Sequence, residues 1–139
     1  MARTDTFICS VITPERAVLE CDARFVAFPA HDGEMGVLVN RAPLICRLGI
    51  GQLRVESATE QHRLYIDGGF AEVANNRLTI LTQQAKAASE IDRSAAEQAL
   101  AHARATKAHD ERASIERARA IQRAKAQLKL STAHSARVG

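Results

Sequence analysis

The side chains able to do chemistry in this 139-residue chain are few and scattered. Five histidines, His31, His62, His102, His109 and His134, share no metal-ligand spacing. His102 and His109 are seven residues apart, with a polar loop segment expected between them. Three cysteines, Cys9, Cys21 and Cys46, are odd in number, widely spaced and form no CxxC. They read as reduced, mostly buried thiols of a cytosolic protein. A cysteine nucleophile needs a base and a group to orient it, and no glycine elbow lies beside any of the three. Neither GxxxxGK followed by Ser or Thr nor GxGxxG occurs, so no glycine loop cradles a phosphate. The residues supply no catalytic set, no metal site and no cofactor site.

What remains is charge, and it is unevenly placed. Residues 90–139 carry ten Lys or Arg against six Asp or Glu, 10 − 6 = +4. The first 89 residues carry nine against ten, 9 − 10 = −1. A basic C-terminal arm meeting an acidic partner follows from that asymmetry. The basic side chains concentrate in Arg112, Arg117, Arg119, Arg123, Lys125 and Lys129, and no acid follows Glu116. Such a helix could touch nucleic-acid phosphates. Stacking on single strands is excluded because Phe70 is the last aromatic residue.

The elements that must position these groups fall into two parts. Up to about Thr82 the chain reads as nine or ten short strands, with turn signals every 8–12 residues. Thr6–Thr13, Ala17–Glu20, Arg24–Phe28, Met35–Val39, Pro43–Arg47, Gln52–Ser57, Arg63–Ile66, Phe70–Val73 and Arg77–Thr82 are β-branched or alternating runs. Gly49 with Gly51, and Asp67-Gly68-Gly69, read as breaks, and Asn75-Asn76 as a two-residue hairpin turn. No helix-length segment separates the strands, so βαβ units are excluded and a β-sandwich or flattened barrel is expected. Within it, Phe28 to Leu44 stands out. Gly33 and Gly36 bracket Glu34 and Met35, and Pro29 and Pro43 lie near the ends. The pattern suits a tight loop feeding a short strand.

From Ala85 on, 17 of 55 residues are Ala, and neither Gly nor Pro recurs before Gly139. Two helices are expected, from about Glu90 to Thr106 after a Ser89 cap and from Glu111 to Leu130 after an Asp110 cap, with fraying beyond Ser131. Their apolar faces are mostly alanine, which buries little area. The hairpin should therefore detach at modest cost. Met1–Asp5 has no signal- or transit-peptide pattern, and no run of about 18 apolar residues spans a membrane.

Four segments in order resemble one family. They are Gly33-Glu34-Met35-Gly36-Val37-Leu38, Arg41-Ala42-Pro43-Leu44, Gly49-Ile50-Gly51, and Tyr65-Ile66-Asp67-Gly68-Gly69-Phe70-Ala71-Glu72-Val73. With Ala126-Gln127-Leu128-Lys129 near the end, the whole chain resembles the epsilon subunit of bacterial F-type ATP synthase, the equivalent of mitochondrial delta. The resemblance implies an α+β chain: a ten-stranded β-sandwich over residues 1–87, then a two-helix antiparallel hairpin over 88–139. It implies a non-catalytic rotor subunit that couples proton flow through the c-subunit ring to gamma rotation and ATP synthesis. Its partners would be the gamma subunit, the c ring and, through the helical arm, the alpha/beta subunits, with no direct nucleic-acid contact. It would lie on the cytoplasmic face of the bacterial inner membrane, peripheral to it through the complex, and its arm would inhibit ATP hydrolysis.

Matched to the family, Glu34 is the acid facing the c ring, flanked by Met35, Gly36 and Arg41. Arg112, Arg117, Arg119, Arg123 and Lys125 are the expected arm contacts. Two departures stand out. Val39-Asn40-Arg41 replaces the family's Pro-Gly-His, which puts that turn in question. The family's nucleotide motif, I/L-D-x-x-R-A, is met by Ile91, Asp92 and Ala96, but Ala95 stands where the arginine belongs. Arg93 points about 160° away on a helix. Weak or absent ATP binding is expected, since a charge-assisted donor is lost.

Overall fold

A computed structural model describes the backbone of residues 5–138, with side chains through Ser131. Eight strands come first: β1 (Phe7–Ile12), β2 (Ala17–Ala23), β3 (Phe25–Ala30), β4 (Gly33–Leu38), β5 (Leu44–Glu56), β6 (Gln61–Ala74), β7 (Arg77–Leu81) and β8 (Ala85–Ala87). They form one sheet in the order β2-β1-β7-β6-β5-β3-β4, with β8 bonded to β6. Every pairing is antiparallel except β1 with β7.

The sheet folds onto itself. Cys9 and Val11 of β1 and Val26 and Phe28 of β3 are all fully buried, although the helices pack mainly on β5 and β6. On a flat sheet, β1 and β3 would stand four strand spacings apart, about 19 Å, with their apolar faces open to water. They shield one another instead, in a single core with Leu53, Val55, Leu64, Ile66, Leu78 and Ile80.

Among the described residues there are eight strands, rather than the ten expected. Two breaks expected at glycines lie inside the long strands β5 and β6, 13 and 14 residues each. Their pairing holds one register from Leu44↔Val73 to Glu56↔Gln61. The strand β6 changes neighbour along its length, bonding β8 through Leu64–Ile66 and β7 through Phe70–Ala74, while β5 lies between β3 and β6. Gly69 marks the crossing. Its φ is +106°, and a Cβ there would sit on the Leu81 carbonyl oxygen. Asn75 and Asn76, at φ +53° and +58°, make the tight hairpin into β7 as the sequence indicates.

A 3-10 turn (Ala88–Glu90) leads into α1 (Arg93–Ala105) and α2 (Glu111–Val138). The first helix starts later than the sequence suggests. The Glu90 carboxylate accepts from the Ala87 N–H at 3.1 Å, which closes the turn, and Asp92 becomes the cap by accepting from Ala95 N at 3.1 Å. Asp110 caps α2 as expected, accepting from Ala113 N at 2.8 Å. The α2 backbone is helical from Glu111 to Val138, beyond the end expected at Leu130. Gly139 and the His134 side chain lie outside the described residues. Ala96 and Ala103 of α1 and Ala124 of α2 are buried where the two helices meet.

Candidate interaction surfaces

No group of three or more His, Cys, Asp or Glu among the described residues could hold a metal. Burial pushes the Cys9 thiol up to about 12, with Cys21, its cross-strand partner, adding to the rise. The surface features of the fold are therefore contacts, and three can be built from the residues upward.

The first joins the helices to the sheet. Tyr65, Ala88 and Leu130 are buried together, with Ile50, Ile91 and Ala126 packed around them. Alternation along β6 produces this. Leu64 and Ile66 enter the sandwich core, so Tyr65 between them faces α2. Burial raises the Tyr65 phenol above its usual range and Asp67 adds to it, while Gln127 and Arg123 oppose. Two residues on, at the rim, Arg123 Nε donates to Asp67 Oδ2 at 2.9 Å. The expected nucleotide pair has structural work here: Ile91 packs in this cluster and Asp92 caps α1.

The five expected arm contacts do not form one stripe. Arg117 donates to the Thr106 and Arg104 carbonyls at 3.0 and 2.9 Å, satisfying the open C-terminal end of α1. Arg123 is turned inward to Asp67. Arg112 is solvent-exposed beside Glu116, at 3.6 Å. Arg119 and Lys125 are exposed.

The second surface is the edge strand β4. Glu34 is exposed near its start and Arg41 lies beyond its end. From Glu34 to the end of the strand at Leu38 is about 13 Å, and Arg41 lies past the turn that follows. Met35 is half-buried against the core. Gly36 is the residue that lets Phe25 lie flat on β4, since a Cβ would come within 2.9 Å of that ring. The Val39-Asn40-Arg41 turn also resolves. Asn40 takes φ +62°, a conformation asparagine tolerates best after glycine. Its N–H donates to Asn76 Oδ1 at 3.1 Å, and Asn76 Nδ2 donates to the Thr6 carbonyl at 2.8 Å. Glu34 also lines a cleft of about 460 Å³ with Gln122, Ala126 and Lys129 of α2.

The third surface was not anticipated. Ile45, Phe70 and Leu81 are 70, 51 and 48% exposed. Phe70 lies directly opposite Leu81, and Ile45 opposite Glu72, so the three form a diagonal on the outer face of β5, β6 and β7. The available signal was an apolar residue out of phase with its strand, Leu81 after Leu78 and Ile80, and Phe70 before Ala71 and Val73.

Residues 6–88 match the family described as the ATP synthase, Delta/Epsilon chain, beta-sandwich domain. The chain is 42% identical over 124 residues to the ATP synthase epsilon chain of Rhodopirellula baltica, covering 88% of this chain and 96% of that one. It is 38% identical over 125 residues to the chloroplastic epsilon chain of Pyropia yezoensis, covering 88% and 93%. Among solved structures it resembles a chain of the Euglena gracilis mitochondrial ATP synthase, OSCP/F1/c-ring, with TM-score 0.80, 26% identity and 90% and 81% coverage. A chain of the Tetrahymena thermophila central stalk/c-ring shares the fold at TM-score 0.71, 11% identity and 89% and 95% coverage.

Proposed function

This chain belongs to the ATP synthase delta/epsilon family, and from that membership we propose a division of labour between its two parts. It is a non-catalytic central-stalk subunit of the ATP synthase. In our reading residues 1–87 couple and residues 88–139 regulate. The sandwich binds the gamma subunit through the Ile45–Phe70–Leu81 diagonal, an apolar strip of the sort a stalk partner would cover. Glu34 near the start of β4 and Arg41 beyond its end meet the c ring at separate points. The arm detaches, extends toward the alpha/beta subunits and inhibits ATP hydrolysis, with Arg112, Arg119 and Lys125 presented first. The assembly sits on the cytoplasmic face of the bacterial inner membrane. No described helix is long and apolar enough to cross a membrane.

The single observation that carries the regulatory half is how few large apolar side chains of the described part of α2 anchor the arm to the sandwich. Only Leu130 of the described α2 side chains is buried against Tyr65 and Ala88. The rest of the α1–α2 contact is alanine-rich. Deleting everything after Ala88 in the assembled enzyme tests the division. Coupled synthesis should persist while restraint on ATP hydrolysis is lost; failure of the truncated chain to assemble would refute it. The nucleic-acid alternative finds no support in these relatives, and Arg117 and Arg123 are engaged in intramolecular contacts that interrupt the basic stripe.

A further inference from the structure

The Arg123–Asp67 pair spans the two parts of the chain at 2.9 Å, 56 residues apart in sequence. The Asp67 side chain is 19% exposed and that of Arg123 is 41% exposed, so the pair is partly shielded by the elements it joins. Its setting is unbalanced. The cavity beside it is lined by Arg47, Arg119 and Arg123 together with His31, and Asp67 is the one acid among the lining residues. Three arginines and a single carboxylate thus line the same cavity, and Arg123 is the one paired with that carboxylate. Opposite this rim the dock depends on one large α2 side chain, Leu130.

We propose that Asp67 is an internal stand-in for an acidic partner surface: it occupies Arg123 while the arm is docked, and acidic groups compete with it to release the arm. The nucleotide motif's missing arginine at Ala95 is then of little consequence, because the docked state is held by a side chain of the chain itself. Arg123 cannot pair with Asp67 and with a partner carboxylate in the same geometry. Release therefore frees a cation for the new surface at the moment the old contact is given up, and it leaves Asp67 among Arg47 and solvent. This inference rests on reading the helices as a movable arm. The chain alone tests it, so its failure would leave the stalk assignment standing, and failure to join gamma would leave the latch standing.

The probe is a thiol at a site the docked arm covers. Ala88 is 8% exposed under α2, and Ala88→Cys can be followed by thiol labelling and peptide mass spectrometry apart from Cys9, Cys21 and Cys46. Its labelling rate scales with the undocked fraction. Asp67→Asn and Arg123→Gln should each raise the rate about two- to fivefold, the range for loss of one partly exposed ion pair. The double exchange Asp67→Arg with Arg123→Asp should restore the parent rate. Added salt and short poly-glutamate peptides should speed labelling in the parent and leave Arg123→Gln unchanged. Unchanged rates in both single variants would overturn the latch. Poly-glutamate acting equally on the parent and Arg123→Gln, or on neither, would overturn the competition.

Discussion

At the scale of single residues, the fold turns on a few positions where backbone geometry dictates side-chain type. Gly69→Ala must push a methyl into the Leu81 carbonyl at φ +106°. It should cost more than about 2 kcal/mol of stability, measured by urea unfolding. Gly36→Ala meets only the edge of the Phe25 ring, which can yield, and should cost about 1 kcal/mol. Equal costs at the two sites would contradict this account. Asn40→Gly should be nearly neutral and Asn40→Val clearly destabilising, because φ +62° is closed to a β-branched residue. Tyr65 gives a pH dependence with a definite sign. Burial raises its folded-state pKa above the unfolded value of 10.0. The stabilisation is therefore complete below pH 10 and lost as pH rises through the folded value. A docked arm should loosen in that alkaline window, with the phenol's ultraviolet titration shifted upward relative to the Leu130→Ala variant. The legible residues were those whose type is forced locally. Asn75-Asn76 announced a hairpin and Asp110 a cap. Asp67 and Arg123 were opaque as a pair, because nothing local links residues 56 apart.

At the scale of elements, the sequence marks where strands bend more clearly than where they end. Gly49, Gly51, Gly68 and Gly69 looked like terminators, yet β5 and β6 run through them in one register. A glycine that permits a crossing between layers and one that ends a strand leave the same trace in sequence. The two-helix hairpin was legible from its alanine content. Its inner faces were less so, since arginines placed by periodicity alone serve different ends in the structure. Arg117 closes the C-terminal end of α1 rather than facing outward. Arg117→Ala should leave the sandwich unchanged and raise hydrogen exchange in residues 102–117, at a cost of about 1 kcal/mol to the hairpin. No change there would remove Arg117 from the hinge. Ile91 and Asp92, with Ala95 in the arginine's place, should give no saturable heat when micromolar ATP is titrated into the chain. A clear binding isotherm would contradict that reading.

At the scale of the whole molecule, the chain joins a β-sandwich to a two-helix arm that packs on β5 and β6. The β-domain has a mostly aliphatic core, with Phe7 and Phe28, closed between its layers. Among the described residues, the arm meets the sandwich through one large buried apolar side chain, Leu130, and one ion pair, Arg123–Asp67. That contrast suits a part that stays fixed in a rotor joined to a part that can leave. Replacing Leu130 by Ala should favour the undocked arm by about 2–3 kcal/mol while the sandwich unfolds at the parent midpoint. On our proposal the Ile45–Phe70–Leu81 face holds this subunit to gamma, so that the two turn together. The most direct test is binding of the purified chain to the gamma subunit of the same enzyme, by calorimetry, for the parent and for Ile45→Glu with Phe70→Glu. The account predicts a one-to-one complex for the parent and a loss of at least about tenfold in affinity for the double variant, with the arm-deleted chain binding like the parent. A folded parent chain that fails to bind gamma, or a double variant that binds it equally well, would contradict the account.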